Sequence, residues 1–163
     1  MAGNDARWRH TTDDYILALA GNATSLLAAG YTSSSFETQT NAGIYDAFLS
    51  KRDSTGAVVW TRFAGTVRYD EGRGAAFDSA GNRYLAGLTE GSFSGFTNAG
   101  SNDLFVARYD SAGNRTLLKQ IGTSGTEYAN DVKVDVSGNI YLTGTTYGAL
   151  GGQESLPPCT PKR

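Results

Sequence analysis

Ala75-Ala-Phe-Asp-Ser-Ala-Gly-Asn-Arg-Tyr-Leu-Ala-Gly-Leu-Thr89 is the stretch of sequence that decides the fold. Two short apolar segments flank its Asp-Ser-Ala-Gly-Asn link. In such a link Asp can bond backbone amides ahead of it, while Gly and Asn tolerate positive φ. The stretch therefore predicts a hairpin with strands near 74–78 and 83–89. Its central part recurs further along the chain, where Asp135-Val-Ser-Gly-Asn-Ile-Tyr-Leu142 repeats Asp78-Ser-Ala-Gly-Asn-Arg-Tyr-Leu85.

The whole chain repeats at an offset of 57 residues. Residues 13–69 match residues 70–126 at 19 of 57 positions without a gap, and a third copy begins at residue 127. A fixed period of this size indicates an array of supersecondary units, each too small to bury its apolar surface alone. The predicted organisation is an N-terminal strand segment (1–12), two blade repeats (13–69 and 70–126), a partial third repeat (127–150) and a Pro-containing tail (151–163).

Four strand-like segments are expected in each full repeat. In the second repeat they are 74–78, 83–89, 103–109 and about 115–121. Segments such as Leu104-Phe-Val-Ala107 are apolar on both alternating faces, which suits a sheet covered on both sides by its neighbours. The repeats of β-helices are far shorter. The sequence therefore predicts an all-β chain of β-propeller blades, each of four antiparallel strands, with about two and a half to three blades per chain.

The pattern resembles the SBBP repeats, a β-propeller repeat family of bacterial, often secreted proteins. The residues that carry the resemblance are the 75–89 stretch, then Asp103-Leu-Phe-Val-Ala-Arg-Tyr-Asp110 and Ser111-Ala-Gly113. The first copy departs from it, because Ala20-Gly-Asn-Ala-Thr24 replaces the Asp-x-x-Gly-Asn link, and a different turn geometry is expected there. The resemblance implies an extracellular or cell-surface location. It implies no activity or binding residues, since the family is defined by its fold.

The acidic links between strands are interpreted as turns and not as metal sites. An EF-hand needs carboxylates at alternate positions and a terminal Glu within about 12 residues, which none of these links has. We expect no metal site. Asp46 and Asp103 precede apolar strands at matching repeat positions, and we expect both to bond neighbouring backbone. The residues to which we assign a structural turn role are Asp53, Gly56, Asp78, Gly81, Asn82, Asp110, Gly113, Asp135, Gly138 and Asn139.

No catalytic set is recognisable. The only histidine, His10, lies in the unrepeated N-terminal segment, so a Ser/His/Asp or Cys/His mechanism lacks a positioned base. Asp13-Asp14 and Asp70-Glu71 place acid doublets at one repeat position, and paired carboxylates could support glycoside hydrolysis. Adjacent side chains on a strand point to opposite faces, so we interpret the doublets as solvated loop residues. We expect no catalytic activity and no cofactor.

Charge and hydropathy exclude two classes of partner. A net charge of -2 supplies no broad positive field, so nucleic acid is not an expected partner. No apolar run approaches the roughly 20 residues that a membrane span needs, so membrane insertion is not expected. Glycans remain an open alternative, because several aromatic residues could either stack on sugars or pack between blades: Tyr31, Phe36, Phe93, Phe96, Tyr128 and Tyr147.

The repeat pattern predicts open ends. Residues 3–9 resemble the last strand of a unit, and the third repeat shows only its first two strands. We therefore expect open apolar faces and unpaired strand edges without polar capping repeats. The predicted function is a structural, extracellular subunit that self-assembles into a ring or filament by blade and strand complementation. Candidate assembly contacts are Ala6, Arg7, Trp8, Arg9 and His10.

Two alternatives stay open beside self-assembly. One is a lectin-like module that binds glycans through equivalent pockets between blades, and the other is a fragment of a larger propeller protein.

Cys159 is the only cysteine, so an internal disulfide is excluded. It is either a free thiol in the tail or a cross-link between subunits.

Overall fold

The computed structural model describes residues 13–152, in which ten antiparallel strands form three sheets. The first blade contains β1 (Asp14–Gly21), β2 (Ser25–Thr32), β3 (Asp46–Asp53) and β4 (Val58–Ala64). The second blade contains β5 (Asp70–Phe77), β6 (Arg83–Thr89), β7 (Asp103–Tyr109) and β8 (Arg115–Ile121). The third sheet contains β9 (Glu127–Val134) and β10 (Ile140–Thr146), followed by a turn of 3₁₀ helix at Leu150–Gly152. Within each sheet the strands follow one another in chain order, which confirms the predicted all-β, blade-like architecture.

In the second repeat the observed strand bounds agree with the sequence prediction except for the first strand, β5. The observed β6, β7 and β8 coincide with the predicted segments, whereas β5 begins at Asp70 and not near Gly74. A β-bulge between Gly72 and Gly74 lets the strand continue through these glycines. In the third sheet β9 likewise begins at the first residue of its repeat, Glu127, and its pairing with β10 also contains a bulge, between Thr143 and Gly144.

The four Asp-x-x-Gly links form one kind of turn. In the second blade the amide of Gly113 donates to the carbonyl of Asp110 at 3.1 Å, and Gly113 has φ of +83°. The Asp110 carboxylate accepts the amides of Ala112 and Asn114, both at 2.9 Å. Gly supplies the left-handed conformation at little steric cost. The remaining three links repeat this pattern, with positive φ at Gly56, Gly81 and Gly138.

The first hairpin differs, as the departing sequence predicts. Its link is one residue shorter, because Gly21 pairs with Leu26 while in the second blade Phe77 pairs with Arg83. Asn22 closes this link, since its side-chain oxygen accepts the amides of Thr24 at 3.0 Å and Ser25 at 2.9 Å. The shorter link shifts β1 by one residue relative to the repeat.

The shift exchanges the two faces of β1. In the second blade Ala76 pairs with Tyr84, so the repeat predicts that Leu19 pairs with Leu27, yet Ala20 takes that place. Because side chains alternate along a strand, a one-residue slip moves every side chain to the opposite face. The small side chains of Ala18 and Ala20 consequently pack against the second blade, and Leu19 is left 64% exposed.

The sheets stack face to face over two apolar clusters. β5 of the second blade lies very close to β2 of the first blade, since a Cβ on Gly72 would lie 2.9 Å from the Gly30 carbonyl oxygen. The first cluster joins the two blades and has as its main buried members Leu27, Ala29, Leu49, Trp60, Leu85, Phe105 and Tyr109. The second cluster joins the second blade to the third sheet through Ala76, Tyr84, Ala86, Leu104, Val106, Ala129 and Val132.

Main-chain hydrogen bonds also connect neighbouring sheets. The Asp70 amide donates to the Tyr45 carbonyl at 2.9 Å, and the Glu127 amide donates to the Asn102 carbonyl at 2.8 Å. These two bonds lie one repeat apart, so both junctions between sheets contain the same link. In each, the first strand of a sheet bonds the loop that leads into the third strand of the preceding blade. No helix of the described residues is long and apolar enough to span a membrane.

Candidate functional surfaces

The acid doublet of the second blade is buried, which corrects its interpretation as a solvated loop pair. Asp70 is fully buried and Glu71 is 7% exposed, and both lie within β5. Asp70 accepts the Thr66 amide at 2.6 Å and the Thr66 hydroxyl at 2.9 Å. Glu71 pairs with Arg73 at 3.0 Å. The bulge that extends β5 draws both residues into the sheet, where they hold the inter-blade link and an ion pair.

Asp46 and Asp103 bond the backbone four residues before them, as the sequence predicts. The Ala42 amide donates to Asp46 at 2.9 Å, and the Ala99 amide donates to Asp103 at 3.2 Å. Their surroundings differ in one respect, because the Gln120 side-chain amide donates to the Asp103 carboxylate at 2.9 Å. No hydrogen-bond donor of the described residues reaches the buried Asp46 Oδ1. Burial raises the pKa of Asp46 to about 6, and the nearby charge of Asp70 adds to this effect.

The groove beside Trp60 has its polar groups already occupied. The groove measures about 570 Å³ and lies between β4 and the Ser111–Ala112 turn. Trp60 is only 8% exposed, its indole N–H donates to the Ser111 carbonyl at 3.3 Å, and Arg62 stacks on its ring at 5.6 Å. Across the groove Glu37 has φ of +47° and its carboxylate accepts the Thr61 hydroxyl. The repeat does not reproduce these residues, because Trp60 corresponds to Leu117.

The six candidate sugar-stacking aromatics fall into two groups. Phe36 is 5% exposed and Phe93 is 4% exposed, and Phe96 packs against the first apolar cluster, so these three fill the blades. The tyrosines are accessible: Tyr31 and Tyr128 are half-buried, and Tyr147 is 68% exposed. The sequence could not separate the two groups, because the solvent exposure of each aromatic ring depends on which face of a sheet its loop covers.

The exposed tyrosines belong to a larger tyrosine band, which lies at one end of the strands in all three sheets, where β1, β3, β5 and β9 begin and β2 and β10 end. It comprises Tyr15, Tyr31, Tyr45, Tyr69, Tyr128 and Tyr147, with Glu71, Arg73 and Asn130 between them. Five of these residues were not recognised from the sequence: Tyr15, Tyr45, Tyr69, Arg73 and Asn130. Only the register shift of β1 and the packing of adjacent sheets bring them together.

The outer face of β1 is apolar and open. Ile16 is 44% exposed and Leu19 is 64% exposed. The strand pairing gives Leu19 the same position in its sheet that Ala75 has in the second blade and Val132 has in the third sheet. Ala75 is 3% exposed and Val132 is 0% exposed. Those positions are buried against the preceding sheet. The β1 face therefore carries larger apolar side chains than its buried counterparts.

The outer face of the third sheet is polar, which corrects the expectation that polar capping is lacking. Lys133 and Asp131 form an exposed ion pair at 2.7 Å, at positions that correspond to Ala76 and Gly74 in the second blade. Tyr141 is 56% exposed, whereas its counterpart Tyr84 is 1% exposed. Terminal units of repeat arrays commonly carry such a polar outer face. No other strand of the described residues pairs with the second edge of β10, the side on which β6 pairs with β7 in the second blade.

The assembly contacts predicted from the sequence lie outside the described residues. They are Ala6, Arg7, Trp8, Arg9 and His10, and Cys159 also lies outside the described range. Within residues 13–152, no three His, Cys, Asp or Glu side chains come together as metal ligands.

Comparison with known proteins identifies the repeat. Residues 118–152 match the family model described as SBBP, beta-propeller repeat. The matched stretch begins in β8, passes through β9 and β10 and ends in the 3₁₀ turn. No curated protein matches the chain. Together with the stacked four-stranded sheets, the match shows that this chain contains an SBBP β-propeller repeat.

Proposed function

We propose that this chain is a non-catalytic, structural β-propeller module that assembles with further copies of itself outside the cell. The observation that carries the proposal is the open apolar face of β1. Ile16 and Leu19 stand where the second and third sheets bury residues against a preceding sheet. Fully burying one such aliphatic side chain contributes about 1.5–3 kcal/mol. The β1 face thus has both the position and the chemistry of an inter-blade junction.

The second edge of β10, with which no strand within residues 13–152 pairs, supports a second contact at the opposite end. Its main-chain groups can pair with an added strand, as exposed sheet edges do in strand-addition complexes. Stacking of another blade on the third sheet is not favoured, because the Asp131–Lys133 ion pair would lose its hydration. We therefore assign blade complementation to the β1 face and strand complementation to the β10 edge. One contact at each end allows a closed ring or a growing filament.

Light scattering coupled to size-exclusion chromatography tests the assembly. We expect the wild-type protein to show masses well above the 17.2 kDa of one chain, rising with concentration. Leu19→Lys should reduce assembly because it places a charge in the apolar contact. Val67→Lys is the matched control, since Val67 is 73% exposed but lies in the link between blades. A monomer at every concentration, or equal effects of the two variants, would contradict the proposal.

A monomeric result would favour a different arrangement, in which further blades of a longer polypeptide cover the same two surfaces. The extracellular location is supported by the SBBP resemblance, because repeats of this family occur in often secreted bacterial proteins. Fractionation of the producing cells tests it. Protein confined to the cytosolic fraction would contradict the proposed location.

A further inference from the structure

Four tyrosine rings of the tyrosine band meet where the first blade joins the second. Tyr15 stacks on Tyr31 with ring centroids 4.7 Å apart. Tyr31 also contacts Tyr45 at 5.3 Å and Tyr69 at 5.5 Å, and Tyr45 lies 5.2 Å from Tyr69. The register shift of β1 is responsible, because it pairs Tyr15 directly with Tyr31. The result is an aromatic surface that is exposed at Tyr15 and half-buried at the other three rings.

Polar contacts extend this surface to the third sheet. The Arg73 guanidinium donates to the Glu71 carboxylate at 3.0 Å and to the Asn130 side-chain oxygen at 3.3 Å. Glu71 follows Tyr69 by two residues at the start of β5. Arg73 also lies 5.1 Å above the ring of Tyr128. The band then ends at Tyr147, whose amide donates to the Thr126 carbonyl at 3.0 Å, two residues before Tyr128.

The tyrosine band is not part of the repeated blade framework. At the repeat offset, Tyr31 corresponds to Leu88, Tyr45 to Asn102 and Tyr69 to Thr126. The junction between the second blade and the third sheet therefore forms without these rings, while it keeps the same main-chain link. Since stacking of the sheets does not require the aromatic cluster, the cluster is available for another role.

The chemistry of the band fits an amphipathic, uncharged ligand. Tyrosine presents an apolar ring face together with a polar hydroxyl. Burial and the hydrogen bond with Tyr31 raise the pKa of Tyr69, and the hydrogen bond with Tyr147 raises the pKa of Tyr128, so both hydroxyls stay neutral at physiological pH. The guanidinium of Arg73 has five N–H donors, so its bonds to Glu71 and Asn130 leave donors for a ligand.

We propose that the tyrosine band binds a neutral saccharide chain, whose C–H faces stack on the rings while its hydroxyls bond Arg73 and Asn130. A polyanion is a poorer fit, because Glu71 neutralises Arg73 and the chain carries a net charge of -2. A proline-rich peptide could use the rings, as in aromatic-lined peptide grooves, but offers few partners for the Arg73 and Asn130 donors. This role is separate from self-assembly, since the band does not include Ile16 or Leu19.

Native gel electrophoresis in gels that contain a soluble polysaccharide tests the proposal. The probes are hydroxyethyl cellulose, xylan and galactomannan as neutral chains, and polygalacturonate as an anionic one. We expect at least one neutral polymer to retard the protein. The double variant Tyr15→Ala/Tyr147→Ala removes the two most exposed rings and should weaken binding about tenfold, the scale expected for two lost ring contacts. Tyr141→Ala is the matched control, because Tyr141 is 56% exposed and lies outside the band.

The outcomes separate this proposal from its competitors. The saccharide site is supported if a neutral polymer retards the wild-type protein and Tyr141→Ala but no longer retards the double variant. No retention by any neutral polymer, equal loss in both variants, or stronger retention by polygalacturonate overturns it. Tighter binding of a synthetic peptide of residues 153–163 than of any polysaccharide also overturns it, in favour of peptide recognition. Leu19→Lys should still bind saccharide, so failure of self-assembly and failure of the saccharide site are distinguishable.

Discussion

Replacing Asp46 with Asn should stabilise the protein at neutral pH and leave it little changed in acid. Asp46 is 1% exposed, and no donor of the described residues reaches its Oδ1. Its pKa is raised from 3.8 to about 6, chiefly by burial. A carboxyl whose pKa is higher in the folded state than in the unfolded state binds its proton more tightly when folded. Folding is therefore penalised as the pH rises from about 4 to about 6, and the penalty is constant above that range.

The size of the effect follows from the shift. A difference between 3.8 and about 6, at about 1.4 kcal/mol per pKa unit, corresponds to roughly 3 kcal/mol at neutral pH. Asn keeps an oxygen that can accept the Ala42 amide and removes the charge. Because the new amide group must itself find acceptors, we expect a net gain of about 1–2 kcal/mol.

Urea unfolding at about pH 3.5 and pH 7.5 measures this gain. The control is Asp103→Asn, because Asp103 holds the equivalent position but accepts the Gln120 side-chain amide at 2.9 Å. The control should gain no stability at pH 7.5, since it loses a charge-assisted hydrogen bond. The reasoning is refuted if Asp46→Asn is less stable than wild type at pH 7.5, or if its stability relative to wild type is the same at both pH values.

Two further substitutions probe the blades. Gly87→Ala should lower the free energy of unfolding by at least about 1–3 kcal/mol, because the new Cβ would lie 1.8 Å from the Glu71 carbonyl oxygen. The control is Gly21→Ala, whose nearest contact would be at 4.0 Å, and thermal unfolding should show that it is tolerated. Tyr84→Phe should lower the free energy of unfolding by about 1 kcal/mol, because the hydroxyl of the buried Tyr84 donates to Asp78 at 2.9 Å. Tyr141 is exposed, so Tyr141→Phe should lower it clearly less. Equal losses of stability in chemical unfolding would contradict this dependence on burial.

The strands and turns could be predicted from the sequence because their signals are local. The Asp-x-x-Gly links and apolar segments repeat at 57 residues, and the observed β6, β7 and β8 have the predicted bounds. The starts of β5 and β9 could not be predicted, because Gly72 and Gly74 in β5 and the polar Asn130 and Asp131 in β9 interrupt the apolar pattern while the main chain continues to pair. The sequence did indicate an altered first link, but the resulting shift of β1 depends on pairing with β2.

The candidate surfaces were less predictable than the fold. Tyr128 and Tyr147 were recognised as possible sugar contacts, yet Arg73 and Asn130 join them only through the contact between β5 and β9. The polar face at Asp131 and Lys133 was missed because both residues lie inside a strand that otherwise follows the apolar repeat. Side chains from different sheets define the tyrosine band, and no spacing along the chain records such a meeting.

The 57-residue period has a consequence for how such arrays grow in evolution. The main-chain bond from Glu127 to Asn102 and its counterpart from Asp70 to Tyr45 lie one period apart. A tandem duplication of 57 residues therefore adds one blade together with one such bond. The copied first strand bonds the blade before it, and the copied loop before the third strand bonds the blade after it. Recombination can lengthen the array without an intermediate in which a new blade lacks a neighbour.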